Sequence, residues 1–206
     1  YACDEPWPNH YDWFEATVTI DGEQLARVGI RKKGFVGSAF GANPALKLKT
    51  DKFIEGQFFG DTERITLNNN SGDPTVMKTC LTLSMFAAAG YPAPRCNLAD
   101  VRVNGEHLGA YTHIEAVKKR FLDHAFGDNG GSLYEGTHAD FVEEWLPRWE
   151  VKTSDTDETR APLLGVAQAL QVPDDQLLDA LESVLNLERY YSFWALETLV
   201  NHADGY

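Results

Sequence analysis

Leu98-Ala99-Asp100-Val101-Arg102-Val103-Asn104-Gly105-Glu106-His107-Leu108-Gly109-Ala110-Tyr111-Thr112-His113-Ile114 is the stretch on which the reading of this chain turns. An Asn-Gly pair tolerates the two successive positive φ angles of a tight hairpin turn, so Leu98–Val103 and His107–Ile114 are predicted as paired antiparallel strands. The same device occurs earlier, where Asp21-Gly22 separates Trp13–Ile20 from Gln24–Arg31, with Leu25, Val28 and Ile30 spaced for a strand. Pro44–Lys49 alternates as a third strand and Ile65–Leu67 reads as a short fourth. Sheet therefore dominates the first half of the chain.

Helices punctuate and then follow these strands. Asp73 stands where a helix N-cap would, with Pro74 at the first helical position. The apolar pattern continues through Val76, Met77, Cys80, Leu81, Leu83 and Phe86, and Gly90 with Pro92 stops it. A mixed helix is predicted near Ala116–Phe126, a short strand over Ser132–Glu135, and a polar insertion over residues 136 to 160. Asp174–Leu185 and Leu187–Val200 read as consecutive helices. The order predicts an α+β fold, a strand-rich lobe over roughly 11–115 and a helical part over roughly 116–206, facing one another across a cleft.

Composition narrows the partners. Thirty-one acidic against eighteen basic residues leave a net charge of −13, which opposes nonspecific attraction to nucleic acid or anionic lipid and favours cationic partners. No apolar run reaches the length of a membrane span. The three cysteines lack CxxC spacing; Cys80 reads as a small core residue in a helix, while Cys3 and Cys96 are free to pair in an oxidising compartment.

Chemistry is suggested at two places. Gly34 to Gly41 holds three glycines in eight residues, and Lys47 and Lys49 lie on the next strand. Close backbone approach and a following cation suit phosphate, although the same order occurs in exposed hairpins whose lysines serve only solubility. Asp204 follows an apolar helical stretch, where a carboxylate can accept a hydroxyl proton or hold a metal, or merely close an Asp-Gly turn. Trp145, Trp149 and Trp194 offer stacking surfaces for a sugar, a role they share with ordinary core and interface tryptophans. The scattered histidines have no zinc-site spacing.

Taken in order, several segments resemble the CotH kinase family, the spore-coat protein H group of atypical protein kinases. They are Val28-Gly29-Ile30-Arg31-Lys32-Lys33-Gly34, Pro44–Lys49, Leu67-Asn68-Asn69-Asn70 with Asp73-Pro74, and Gly90-Tyr91-Pro92-Ala93-Pro94-Arg95. Val103–Tyr111 with Glu115, Gly131–Gly136, Lys152-Thr153-Ser154 and Asn201–Tyr206 continue the resemblance. What it implies is an atypical protein-kinase-like fold that binds ATP with magnesium or another divalent metal and phosphorylates Ser or Thr of proteins. On that resemblance Asp204 takes the position of the catalytic aspartate and Lys47 that of the phosphate-contacting lysine. Arg31, Lys49, Glu115 and Lys152 are the further nucleotide-binding candidates, and no metal ligand is assigned.

The resemblance also points to an extracytoplasmic, cell-surface or spore-surface protein, and with the acidic balance to a basic Ser/Thr-containing protein substrate. Two departures stand out. Lys78-Thr79 occupies the place of the family's common Arg-Glu, leaving Glu115 as a substitute carboxylate. The family's downstream asparagine and Trp-Asp-x-Asp aspartate would fall beyond Tyr206, so a single CotH-like domain shortened at its C-terminal end is expected, inactive in this form. The competing expectation is a noncatalytic binding or scaffold module of the same family.

Overall fold

The computed structural model describes residues 11–34, 43–136, 139–153 and 160–202. The glycine-rich segment after Gly34, Cys3 and Asp204 lie outside them. The chain divides into two compact units, Tyr1–Val117 and Lys118–Tyr206.

The first unit is built on a mixed-order antiparallel sheet. Its strands are β1 (Phe14–Ile20), β2 (Glu23–Lys32), β3 (Leu46–Lys49), β4 (Arg64–Asn68), β5 (Cys96–Val103) and β6 (Glu106–Ile114), in the spatial order β1-β2-β3-β4-β6-β5. Both expected hairpins form. Asp21 and Asn104 adopt φ of 49° and 51°, and Gly22 and Gly105 follow at 90° and 85°, the double left-handed geometry that those dipeptides make inexpensive. One face of the sheet carries the core, where Leu25, Val28, Leu46, Leu48, Ile65, Leu67, Val101 and Tyr111 pack together. The Tyr111 hydroxyl, inside this cluster, donates to Pro44 O at 3.1 Å, so its polar tip is satisfied.

Helix α1 (Lys78–Ala88) begins later than the sequence suggests. Asp73 is not its N-cap; Asp73 to Met77 form a turn in which Val76 takes φ of 62°, a conformation that strains a β-branched residue. The Asp73 carboxylate nonetheless reaches the helix start, accepting from the Lys78 amide at 2.7 Å, the Thr75 amide at 3.0 Å and the Thr75 hydroxyl at 2.5 Å. The expected stop is present. Gly90 N donates to Ala87 O and Tyr91 N to Phe86 O, and the rings of Phe86 and Tyr91 meet edge to face, a complete Schellman termination.

The return from that stop corrects the reading of the cysteines. Cys80 is bonded to Cys96, Cα atoms 5.3 Å apart, and is neither a free core thiol nor left unpaired by a Cys3–Cys96 bridge. The turn after α1 brings the start of β5 alongside the helix, which spacing in sequence does not reveal. Closing a loop over a sequence separation of 16 contributes about 3 kcal/mol to stability in the chain-entropy account. It matters here because Phe86 is the buried residue of α1, while Met77 and Leu81 are exposed.

The second unit contains α2 (Lys119–Phe126), the two-stranded ribbon of β7 (Tyr134–Gly136) and β8 (Trp149–Val151), α3 (Ala161–Ala169), α4 (Leu177–Glu182) and α5 (Leu187–Leu199). Leu146, Trp149, Leu163 and Ala167 form its core cluster. Three expectations change. Part of the polar insertion pairs as β8, α3 was not anticipated, and α4 is shorter than Asp174–Leu185 because residues 173–176 form a turn, Gln176 N donating to Pro173 O. Asn186 caps α5 by accepting from the Arg189 amide at 3.0 Å. The α+β class holds.

Candidate functional site

Opposed residues of an antiparallel sheet share a face, so the register itself assembles the site. Leu46 and Leu48 point to the core, which turns Lys47 and Lys49 to the other side. Arg31 lies opposite Lys47, Lys47 opposite Thr66, Thr66 opposite Ile114, and Ile114 opposite Cys96. One row away, Gly29 lies opposite Lys49 and Lys49 opposite Arg64. On the other side of the Arg31 row, Lys33 continues β2, its amide donating to Ala45 O at 2.9 Å and its ammonium to Asn68 Oδ1 at 2.5 Å. Asn68 is opposite Thr112, whose buried hydroxyl donates to Asn70 Oδ1 at 2.7 Å. Arg31, Lys33, Lys47, Lys49 and Arg64 thus occupy a single face of an otherwise acidic protein.

Their charges are unevenly compensated. Lys49 Nζ is 3.6 Å from Asp51, and Arg64 Nε is 3.3 Å from Glu63. Arg31 is held differently, its guanidinium 4.8 Å over the Trp13 ring and its buried Nε without a hydrogen-bond partner among the described residues. Trp13 can lie there because Gly29 has no side chain; a Cβ at that position would sit 2.6 Å from Lys52 Cβ and 3.1 Å from the indole. Burial, and then the neighbouring Arg64, lower the Arg31 pKa from its ordinary value. Lys33 is also lowered by burial, and its partner is a neutral amide. A cluster of cations on one half-buried face, with the Arg31 Nε unpartnered among the described residues, fits an anion with several oxygens.

The remaining candidates are placed as follows. Glu115 is clamped to Arg95: Arg95 Nη2 donates to Oε1 at 2.9 Å, the Arg95 amide to Oε2 at 3.1 Å, and the Glu115 amide to Arg95 O at 2.9 Å. The hydrogen bond to Glu115 raises the Arg95 pKa. Lys152, in the second unit, donates to Glu135 and, at 2.8 Å, to Glu150. Burial alone would lower its pKa, yet these two carboxylates raise it overall. The adjoining Thr153 is buried, its hydroxyl accepting from Leu133 N and donating to Gly131 O, which ties the segment before β7 to the end of β8.

Of the tryptophans, Trp149 is core, stacked on Phe141 and donating from Nε1 to Asp140 O. Trp145 lies under Arg148 at 4.1 Å, and Trp194 is exposed. At the end of α5, Asn201 takes φ of 52° and His202 N donates to Glu197 O, while His202 Nδ1 is 2.9 Å from the carboxylate of the buried Glu197. Among the described residues no three His, Cys, Asp or Glu side chains group to hold a metal, and no helix is long and apolar enough to cross a membrane. Lys33 and Asn68 were missed as site residues. Both stand within stretches singled out in sequence, but only the pairing of β2 through β4 puts them together.

The family model described as CotH kinase protein matches residues 30–206. The chain is 31% identical over 70 residues to Inner spore coat protein H of Bacillus subtilis (strain 168), a match covering 34% of this chain and 19% of that protein. It is 22% identical over 163 residues to Invasin CotH2 of Rhizopus delemar, covering 71% of this chain and 27% of that protein. The matches span about a fifth and a quarter of these relatives' lengths.

Proposed function

Because the chain belongs to the CotH kinase family, we propose that its polar sheet face binds the phosphates of ATP and that the parent protein transfers the terminal phosphate to Ser or Thr of a protein. The observation that carries this reading is the set of cations on one face, with the buried Nε of Arg31 lacking a hydrogen-bond partner among the described residues. Arg31 and Lys47, directly opposed, would grip one phosphate group, and Lys49 and Arg64 would contribute charge from the neighbouring row. Trp13 fixes the Arg31 guanidinium from below, so little side-chain entropy is lost on binding.

Asp204 is the proposed base. Its carboxylate would accept a hydrogen bond from the incoming hydroxyl and take its proton as that oxygen bonds to the γ-phosphorus and the bond from phosphorus to the bridging oxygen breaks, releasing ADP. A divalent metal would neutralise phosphate charge when bound; among the described residues no three His, Cys, Asp or Glu side chains group to hold it. Glu115 and Lys152 already hold partners of opposite charge, which favours supporting roles for them: Glu115 fixing the end of β6 through Arg95, Lys152 fixing the β7–β8 ribbon. The Cys80–Cys96 bond supports an oxidising location outside the cytosol, and the net charge of −13 supports an acceptor segment flanked by Lys or Arg.

The test uses two variants of the parent protein. Lys47→Ala should weaken ATP binding about tenfold by calorimetry. Asp204→Asn should lower phosphate transfer by about 100-fold or more while leaving ATP affinity and melting temperature unchanged. Unchanged ATP affinity in the first, or normal transfer in the second, removes that residue from the mechanism. ATP binding without transfer by the parent itself would favour the noncatalytic module.

A further inference from the structure

The ammonium of Lys33 is more buried than that of an ordinary surface lysine and is held by an oxygen of a neutral amide, Asn68 Oδ1, at 2.5 Å. No carboxylate among the described residues pairs with it. Such a cation is costly to keep, because burial removes its hydration and an amide returns only part of what is lost. Asn68 is itself fixed by its place in β4, opposite Thr112, which is fully buried. The amide therefore aims the ammonium instead of neutralising it.

The position relative to Arg31 is set by the strand. Lys33 is two residues along from Arg31, so the two cations share a face with Cα atoms about 7 Å apart. The bond to Asn68, the next residue of β4 on this face after the Thr66 that lies opposite Lys47, holds the Lys33 ammonium in the neighbouring row, where the next member of a phosphate chain would lie. Resting on the nucleotide reading above, we infer that Lys33, aimed by Asn68, is a second phosphate contact one row along the sheet from the Arg31–Lys47 pair, and that it selects polyphosphate ligands over monophosphates. Arg31 and Lys47 hold one phosphate; Lys33 is reached only by a ligand with more. Nothing about the base or sugar enters this selection.

Calorimetry of the 206-residue chain in magnesium buffer, with ATP, inorganic tripolyphosphate and AMP as ligands, tests the assignment. Lys33→Met should weaken ATP and tripolyphosphate about tenfold or more and AMP by less than about twofold, and Lys33→Arg should stay within about threefold of the unsubstituted chain for all three. The melting temperature of Lys33→Met should be unchanged or higher, since an uncompensated buried charge has been removed. Equal losses for ATP and AMP, or no loss for either, would overturn the selective role. A lower melting temperature with unchanged ligand affinities would make the Lys33–Asn68 bond purely structural. Failure of the unsubstituted chain to bind either ATP or tripolyphosphate overturns the nucleotide reading and this inference together, whereas binding that is indifferent to Lys33 overturns this inference alone.

Discussion

Lys33 in the sheet unit and Lys152 in the second unit are the same residue type, both partly buried, in opposite electrostatic settings. Lys152 donates to Glu135 and Glu150, and these partners raise its pKa despite burial. Lys33 donates to Asn68, and burial lowers its pKa without opposition. A lysine already paired with two carboxylates has its charge answered within the fold. One aimed by an amide holds its charge in reserve for something that arrives, at a cost to stability. The difference separates cations that build the ribbon from cations that can bind a ligand.

The comparison breaks most sharply if Lys33 is given what Lys152 has. Asn68→Asp places a carboxylate against the ammonium, so ATP affinity should fall about tenfold or more by calorimetry while the melting temperature rises. Unchanged affinity would mean that the Lys33 charge does not face the ligand. The reverse experiment gives Lys152 the setting of Lys33. Glu135→Gln with Glu150→Gln should destabilise the chain by about 1 kcal/mol in urea denaturation, a modest value because both glutamates are largely exposed. ATP affinity should not change, and a loss there would put Lys152 back among the phosphate contacts.

The smallest effect is a difference in alkaline behaviour. Lys33 has a lowered folded pKa, so its cost is present below that value and is relieved as pH rises toward the ordinary lysine value of about 10.4. Lys152 has a raised folded pKa, so its contribution is present below the ordinary value and is lost as pH rises through the raised one. Denaturation midpoints between about pH 8 and 11 should therefore show the advantage of Lys33→Met shrinking with pH. The disadvantage of Lys152→Met should persist further and shrink later. Parallel curves for the two variants would show that their settings are not distinct.

How much of this was readable in the sequence depended on the range of the interactions. Asp21-Gly22 and Asn104-Gly105 announce their hairpins because backbone sterics within two residues decide the turn. Gly90 announces the end of α1 for the same reason. The start of α1 was misplaced because Asp73 reaches the Lys78 amide across a turn containing strained Val76, an arrangement that no local preference favours. Helix α3 was overlooked within a segment whose character is set by packing against Leu146 and Trp149.

The sequence by itself determined the α+β class, the two tight hairpins, the family resemblance and the candidacy of Lys47 and Arg31, all of which rest on local preference or ordered motifs. Tertiary structure alone decided that β4 pairs with β6, that Cys80 bonds Cys96, and that Lys33 meets Asn68. The reason is physical: strand pairing joins residues distant in the chain, and whether a charge is answered or left in reserve depends on the neighbours that such pairing brings to its face.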